Sequence, residues 1–227
     1  MFTVALVGAD GAGKTTIGRA LPAALPFPSV YLYMGVSLEA SSIMLPTTRL
    51  ILALRRLRGA STGPTAPPVH GAVRAEGRGR LGRSVSVAKR TMRLAYLLLE
   101  ESFRFAVSAY HLRRGRVVIF DRHFFVDFYS SDVRVAQSQP MLRRLHGAVL
   151  ARFPKPDLVI CLDAPAAVLW QRKPEGRIEW LEQRRAEYLR LAEVSAQFAV
   201  IDASRPLPLV IEDVRGAIAE RYEAAVR

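Results

Sequence analysis

The stretch Gly8-Ala9-Asp10-Gly11-Ala12-Gly13-Lys14-Thr15 fits the pattern GxxxxGK[ST]. Its context is as specific as its letters. The apolar run FTVALV (2–7) precedes it and reads as a buried strand, and a helical pattern follows from residue 14 to the proline at 22. Glycines at these positions let backbone N–H groups turn inward and form a nest for an anion. The helix that follows aims its N-terminus at the same point. Lys14 is placed to reach the β- and γ-phosphates of a nucleotide, and the Thr15 hydroxyl to ligate Mg²⁺.

Working outward, four more apolar runs read as strands: SVYLYM (29–34), RVVIF (116–120), DLVICL (157–162) and FAVI (198–201). The last three each lead into an aspartate, at Asp121, Asp163 and Asp202. Helical patterns separate the strands, at about 84–113, 140–152, 164–172, 178–196 and 208–226. Strands alternating with helices predict an α/β fold, a parallel sheet covered on both faces. Residues 59–83 hold six glycines and three prolines and read as a long loop, preceded by an amphipathic basic helix over 45–58. The expected organisation is one domain over 1–227, with a basic Gly/Pro-rich insert at about 45–93.

The chain has 227 residues, half of them apolar, which excludes global disorder and allows a real core. No apolar run reaches the ~18–20 residues that span a bilayer. The start of the chain shows no signal-peptide pattern, and the lone Cys161 excludes an internal disulfide. A cytoplasmic protein is the expectation. The formal charge is +13, with 29 of the 33 basic residues arginine. The excess is local: Arg49 to Arg93 holds eleven basic residues and one acid, a net of +10. A segment of this kind suits contact with a polyanion, either nucleic acid or an anionic membrane.

Asp121-Arg122-His123 closes the third strand at the carboxyl edge of the sheet, where open α/β folds bind ligands. Asp121 could hold Mg²⁺ or orient an acceptor, and Arg122 could hold an acceptor phosphate. Gln171-Arg172-Lys173-Pro174-Glu175-Gly176-Arg177 reads as a short basic loop able to close over a polyphosphate. Asp163 suits either a second metal ligand or a helix cap. The four histidines have no metal-ligand spacing.

In this order the motifs resemble the thymidylate kinase family of P-loop nucleoside monophosphate kinases. The resemblance is carried by GADGAGKTT, RRGRVVIFDRH, PDLVICLDAP, QRKPEGR, RRAEYLRLA and VIDASRPLPLVIEDV, and covers residues 1–20 and 105–227. It implies a three-layer P-loop NTPase fold with a five-stranded parallel sheet and a mobile lid around 171–177. It implies ATP–Mg²⁺ as phosphoryl donor and a small-molecule acceptor, most simply a nucleoside monophosphate such as thymidine monophosphate. Gly8, Asp10, Gly11, Ala12, Gly13, Lys14, Thr15 and Thr16 would bind the nucleotide, with Ala203, Ser204 and Arg205 lining the adenine. Thr15 and Asp121 would hold the metal, and Lys14, Asp121, Arg122, Arg172 and Arg177 would serve transfer. A homodimer is a further expectation. Other acceptors, a sugar or cell-envelope precursor, stay open, as does a nucleotide-switched binding module. The family's Arg-Glu-Pro stretch is replaced by YMGVSLEA at 33–40, and Glu100 and Glu101 stand where its acceptor-binding arginine falls. Three readings of these glutamates stand: a carboxylate in the cleft, partners for the arginines of 49–93, or side chains that are simply solvated or pair with Arg104 at i+3 or i+4.

Overall fold

A computed structural model describes residues 1–35, 43–57, 80–123, 148–149, 152–174 and 176–226. All five expected strands are present: β1 Thr3–Val7, β2 Ser29–Tyr33, β3 Val117–Asp121, β4 Leu158–Asp163 and β5 Phe198–Asp202. They form one sheet in the order β2-β3-β1-β4-β5, and each pairing is parallel. The near-continuous apolar runs follow from this. Val4, Leu6, Val117, Ile119, Leu158 and Ile160 face one layer, and Ala5, Val7, Val118, Phe120, Val159 and Cys161 the other. Both faces are buried, so alternation with polar residues is lost.

The first face is covered by helix α1 (Lys14–Ala24) through Ile17 and Leu21, and by the C-terminal helix through Val210, Val214 and Ile218. The second is covered by the long helix α3 (Arg80–Arg113) through Phe103, Phe105 and Val107, and by Tyr188 and Leu191. Helix α2 is Pro46–Leu57, α4 is Ala166–Arg172, α5 is Ile178–Leu189 and the C-terminal α6 is Leu207–Val226. Among the described residues no helix is long and apolar enough to cross a membrane.

Some boundaries differ from the sequence reading. Pro22 does not end α1, which runs on to Ala24. The proline falls in the last turn, where Leu25 N–H still closes on the Leu21 carbonyl at 3.0 Å, so the loss is confined to one hydrogen bond. Residues 80–83, read as loop, open α3. The 178–196 pattern tightens into a 3₁₀ turn at Arg190–Glu193. Of the loop at 59–83 and the helix at 140–152, residues 59–79, 140–147 and 150–151 lie outside the described residues, as do 36–40 of the stretch after β2.

This strand order positions a crevice. From β1 the chain passes over β3 to reach β2, and from β3 it crosses β1 to reach β4. Connections that leave neighbouring strands in opposite directions mark a topological switch point at the carboxyl ends of β1 and β3, the place where open parallel sheets bind ligands. Leu6 and Asp121 are register partners, which places the loop after β1 beside Asp121 and Arg122.

Candidate active site

The 8–13 loop is shaped by its glycines. Gly8 and Gly11 have φ of +141° and +89°, and a Cβ on either would strike a backbone carbonyl, Leu162 of β4 or Leu169 of α4. The loop is wedged between those elements in a conformation that only glycine tolerates cheaply. Gly13, the N-cap of α1, is left-handed and supplies no side-chain cap. Lys14 is buried, and its Nζ donates to the Gly8 and Ala9 carbonyls at 2.7 and 2.8 Å. The ammonium thus sits within the loop, while Thr15 and Thr16 are exposed on the first turn of α1.

Asp121 joins this loop to β3. Its Oδ2 accepts from the Thr15 hydroxyl at 2.6 Å and from the Tyr31 hydroxyl at 2.7 Å. Its Oδ1 is buried with no hydrogen-bond partner among the described residues. Burial, with Asp121 alongside, pushes the Tyr31 hydroxyl up, so Tyr31 stays a donor. Its ring passes where a Cβ on Gly18 would stand, so a glycine inside α1 makes room for it. An orphaned carboxylate oxygen next to a hydroxyl fits magnesium, a hard cation that takes oxygen ligands and retains waters and substrate phosphates.

Arg122 is held at φ +62°, a left-handed conformation that costs a non-glycine residue about 1 kcal/mol or more. Its N–H donates to the Leu6 carbonyl at 3.2 Å, and its guanidinium pairs with Asp10 of the loop at 2.5 Å. Burial raises the Asp10 carboxyl, but Arg122, Lys14 and Lys173 outweigh it and hold Asp10 below its usual range. The strained arginine therefore bridges the two sides of the crevice.

Arg172 and Arg177 do not converge on this point. The Arg172 guanidinium donates to the Ala203 carbonyl at 2.7 Å and the Ser204 carbonyl at 3.3 Å. It links the start of the basic loop to the turn after β5. That turn is tight: Asp202 accepts from the Ser204 N–H and hydroxyl at 2.9 and 2.6 Å, and Arg205 pairs with Asp213 at 2.6 Å. Arg177 is exposed at the N-cap of α5, in a shallow cleft between Trp170 and Trp180. Asp163 does not take its expected place as the cap of α4. Arg185 of α5 clamps it bidentately, both contacts at 2.8 Å, and the N-cap of α4 is Pro165.

The glutamates at 100 and 101 are buried, not solvated. Glu100 accepts from the Leu45 N–H at 3.2 Å and from the Thr48 hydroxyl at 3.0 Å, so its carboxylate anchors the N-terminus of α2. It also lies 3.5 Å from Arg104, one turn along α3. Pairing of Glu100 with Arg104 is present and solvation is not; the side chains of the arginines at 49–93 lie outside the described residues. Arg104 is itself buried and donates to the Gly35 carbonyl, just past β2, at 2.8 Å. A Cβ on Gly35 would also meet the Arg122 side chain. An arginine on the long helix thus does approach the crevice, one turn later than the sequence suggested. Removing Glu100 as Glu100→Ala strands a buried guanidinium and an amide, and is expected to lower stability by about 3–5 kcal/mol in urea unfolding. A loss under about 0.5 kcal/mol would contradict this role.

His123 packs against Phe105 and Phe120 with no exposure, and burial pushes its pKa down to about 3. The unfolded chain takes up this proton near pH 6.5, and the folded protein only near 3. Its contribution to stability is therefore full above pH 6.5 and lost as pH falls toward 3, at about 1.4 kcal/mol per unit. Unfolding free energy of wild type minus that of His123→Phe should show this slope; a difference flat across pH 3–6.5 would contradict it. His123 is a core group, and Cys161, its thiol pushed up to about 12 by burial, is another.

Tyr31, Gly18, Arg104 and Arg185 were not singled out as site residues from sequence. No protein-family model matches the chain, and the chemistry of the site rests on its own geometry.

Proposed function

We propose that the protein is an ATP-dependent phosphotransferase of the P-loop kinase type, resembling thymidylate kinase. It would move the γ-phosphoryl of ATP to a nucleoside monophosphate such as thymidine monophosphate. The observation that carries this reading is the meeting of the glycine loop, Lys14, Thr15 and Asp121 at the switch point of a parallel sheet. That constellation supplies what phosphoryl transfer needs: backbone donors, a lysine, a hydroxyl–carboxylate pair for a metal and arginines.

The loop N–H groups and the N-terminus of α1 would cradle the phosphates, with Lys14 leaving the Gly8 and Ala9 carbonyls for phosphate oxygens. Thr15 and Asp121 would hold Mg²⁺, which supplies neutralisation of charge on the β- and γ-phosphates. Arg122 and Arg104 stand on the β2–β3 side, around Gly35, and favour an anionic acceptor over a neutral sugar. Arg172 and the Ala203–Arg205 turn would flank the adenine, and Arg177 would reach the phosphates only by rearrangement of the 171–177 loop.

Binding is tested by melting with MgATP. At a hundredfold excess over Kd, linkage raises stability by about 2.7 kcal/mol. An unchanged melting temperature at millimolar MgATP would sink the assignment.

A further inference from the structure

Helix α2 has one face that the candidate site does not use. Its inner side is fixed by polar bonds: Thr48 is buried and bonds both Glu100 at 3.0 Å and the Tyr96 hydroxyl at 2.5 Å. On the opposite side stand Leu50, Leu54 and Leu57, which are 61%, 45% and 83% exposed. Their spacing of four and three residues confines them to an arc of about 60° on the helix. Singly exposed leucines need no explanation, but a stripe of three on one short helix does.

Charge distinguishes the partners that such a stripe could take. Between Ala40 and Ala75 there is no acidic residue, while Arg49, Arg55, Arg56 and Arg58 lie in or directly after the helix. A nucleic acid would use the arginines and leave the leucines in water. A second copy of the chain would bring the same positive charge against itself. Twelve residues also make a helix of only about 18 Å, far too small alone for the ~800 Å² per partner of a stable dimer. A surface that wants both leucine and arginine is a bilayer with anionic headgroups.

We propose that α2 is a docking helix for anionic phospholipid. It lies in the plane of the interface, with Leu50, Leu54 and Leu57 below the headgroups, and the excess of arginine over acid in the sequence of this segment favours anionic over neutral lipid. Glu100 and Thr48 hold the helix to the body of the protein, so its leucine face is presented outward. The inference does not depend on the phosphotransferase reading.

The test is co-sedimentation of the full chain with vesicles of phosphatidylglycerol and phosphatidylcholine in equal parts, against pure phosphatidylcholine and against duplex DNA. Wild type is expected to partition to the anionic vesicles, and Leu54→Glu with Leu57→Glu to lower that partitioning by about tenfold or more. Leu54→Trp is expected to blue-shift its emission on anionic vesicles, relative to the protein's native tryptophans. Each of four results would overturn the proposal: no binding to anionic vesicles by wild type, equal binding by the double variant, an unshifted Leu54→Trp emission, or a double variant that loses DNA binding or a dimer and keeps vesicle binding.

Discussion

Lys14→Ala is expected to lower the rate of phosphoryl transfer by about 10²–10³-fold or more, with the fold retained. The Lys14 ammonium lies inside the glycine loop, buried against the Gly8 and Ala9 carbonyls. It is placed to meet charge that develops on the transferring group. Two carbonyls lose a donor in the variant, which costs about 1–3 kcal/mol. Circular dichroism and steady-state kinetics separate the two effects. A variant that keeps more than about a third of wild-type turnover would show that the loop is a structural turn.

Asp121→Asn is the second large effect, and its signature is opposite loss and gain. Asp121 is a fully buried carboxylate with one oxygen orphaned, bonded only to neutral hydroxyls among the described residues. A buried carboxylate with an unpaired oxygen opposes folding. The amide keeps the shape and one acceptor for Thr15 and Tyr31. Turnover in Mg²⁺ should fall by about 10²-fold or more. The nucleotide-free variant should melt no lower than wild type, and as much as ~2–4 °C higher, the shift expected of about 1 kcal/mol in a chain of this size. A variant that is both active and less stable would make Asp121 a structural residue.

Much of the fold was legible because it is written in local signals. Five apolar runs, three of them stopping at an aspartate, mark buried parallel strands, and all five are found within a residue or so of their expected bounds. The glycine loop was legible because Gly8 and Gly11 occupy positions where a Cβ collides with a carbonyl. What was not legible depends on approach through space. Tyr31 looks like any strand aromatic; only the pairing of β2 with β3 brings its hydroxyl to Asp121. Arg185 lies 22 residues from Asp163, and no short-range pattern joins them. The burial of Glu100 was not legible because it is made by α2, a helix some fifty residues earlier in the chain. Pro22 misled because the rule that proline ends a helix is weakest in the last turn.

Arg172 shows the same limit from the other side. Its place in a basic loop predicts a phosphate contact, and nothing in the sequence foretells that its guanidinium also finds the carbonyls after β5. A long arginine side chain has several partners within reach, and sequence does not choose among them.

Acceptor-dependent transfer of the γ-phosphoryl is measured as ADP formed from MgATP with each nucleoside monophosphate and with a set of sugars. Slow hydrolysis alone is expected, with a large stimulation by at least one monophosphate, thymidine monophosphate foremost, abolished by removing magnesium. ATP that binds but is consumed at one rate whatever acceptor is present would contradict it.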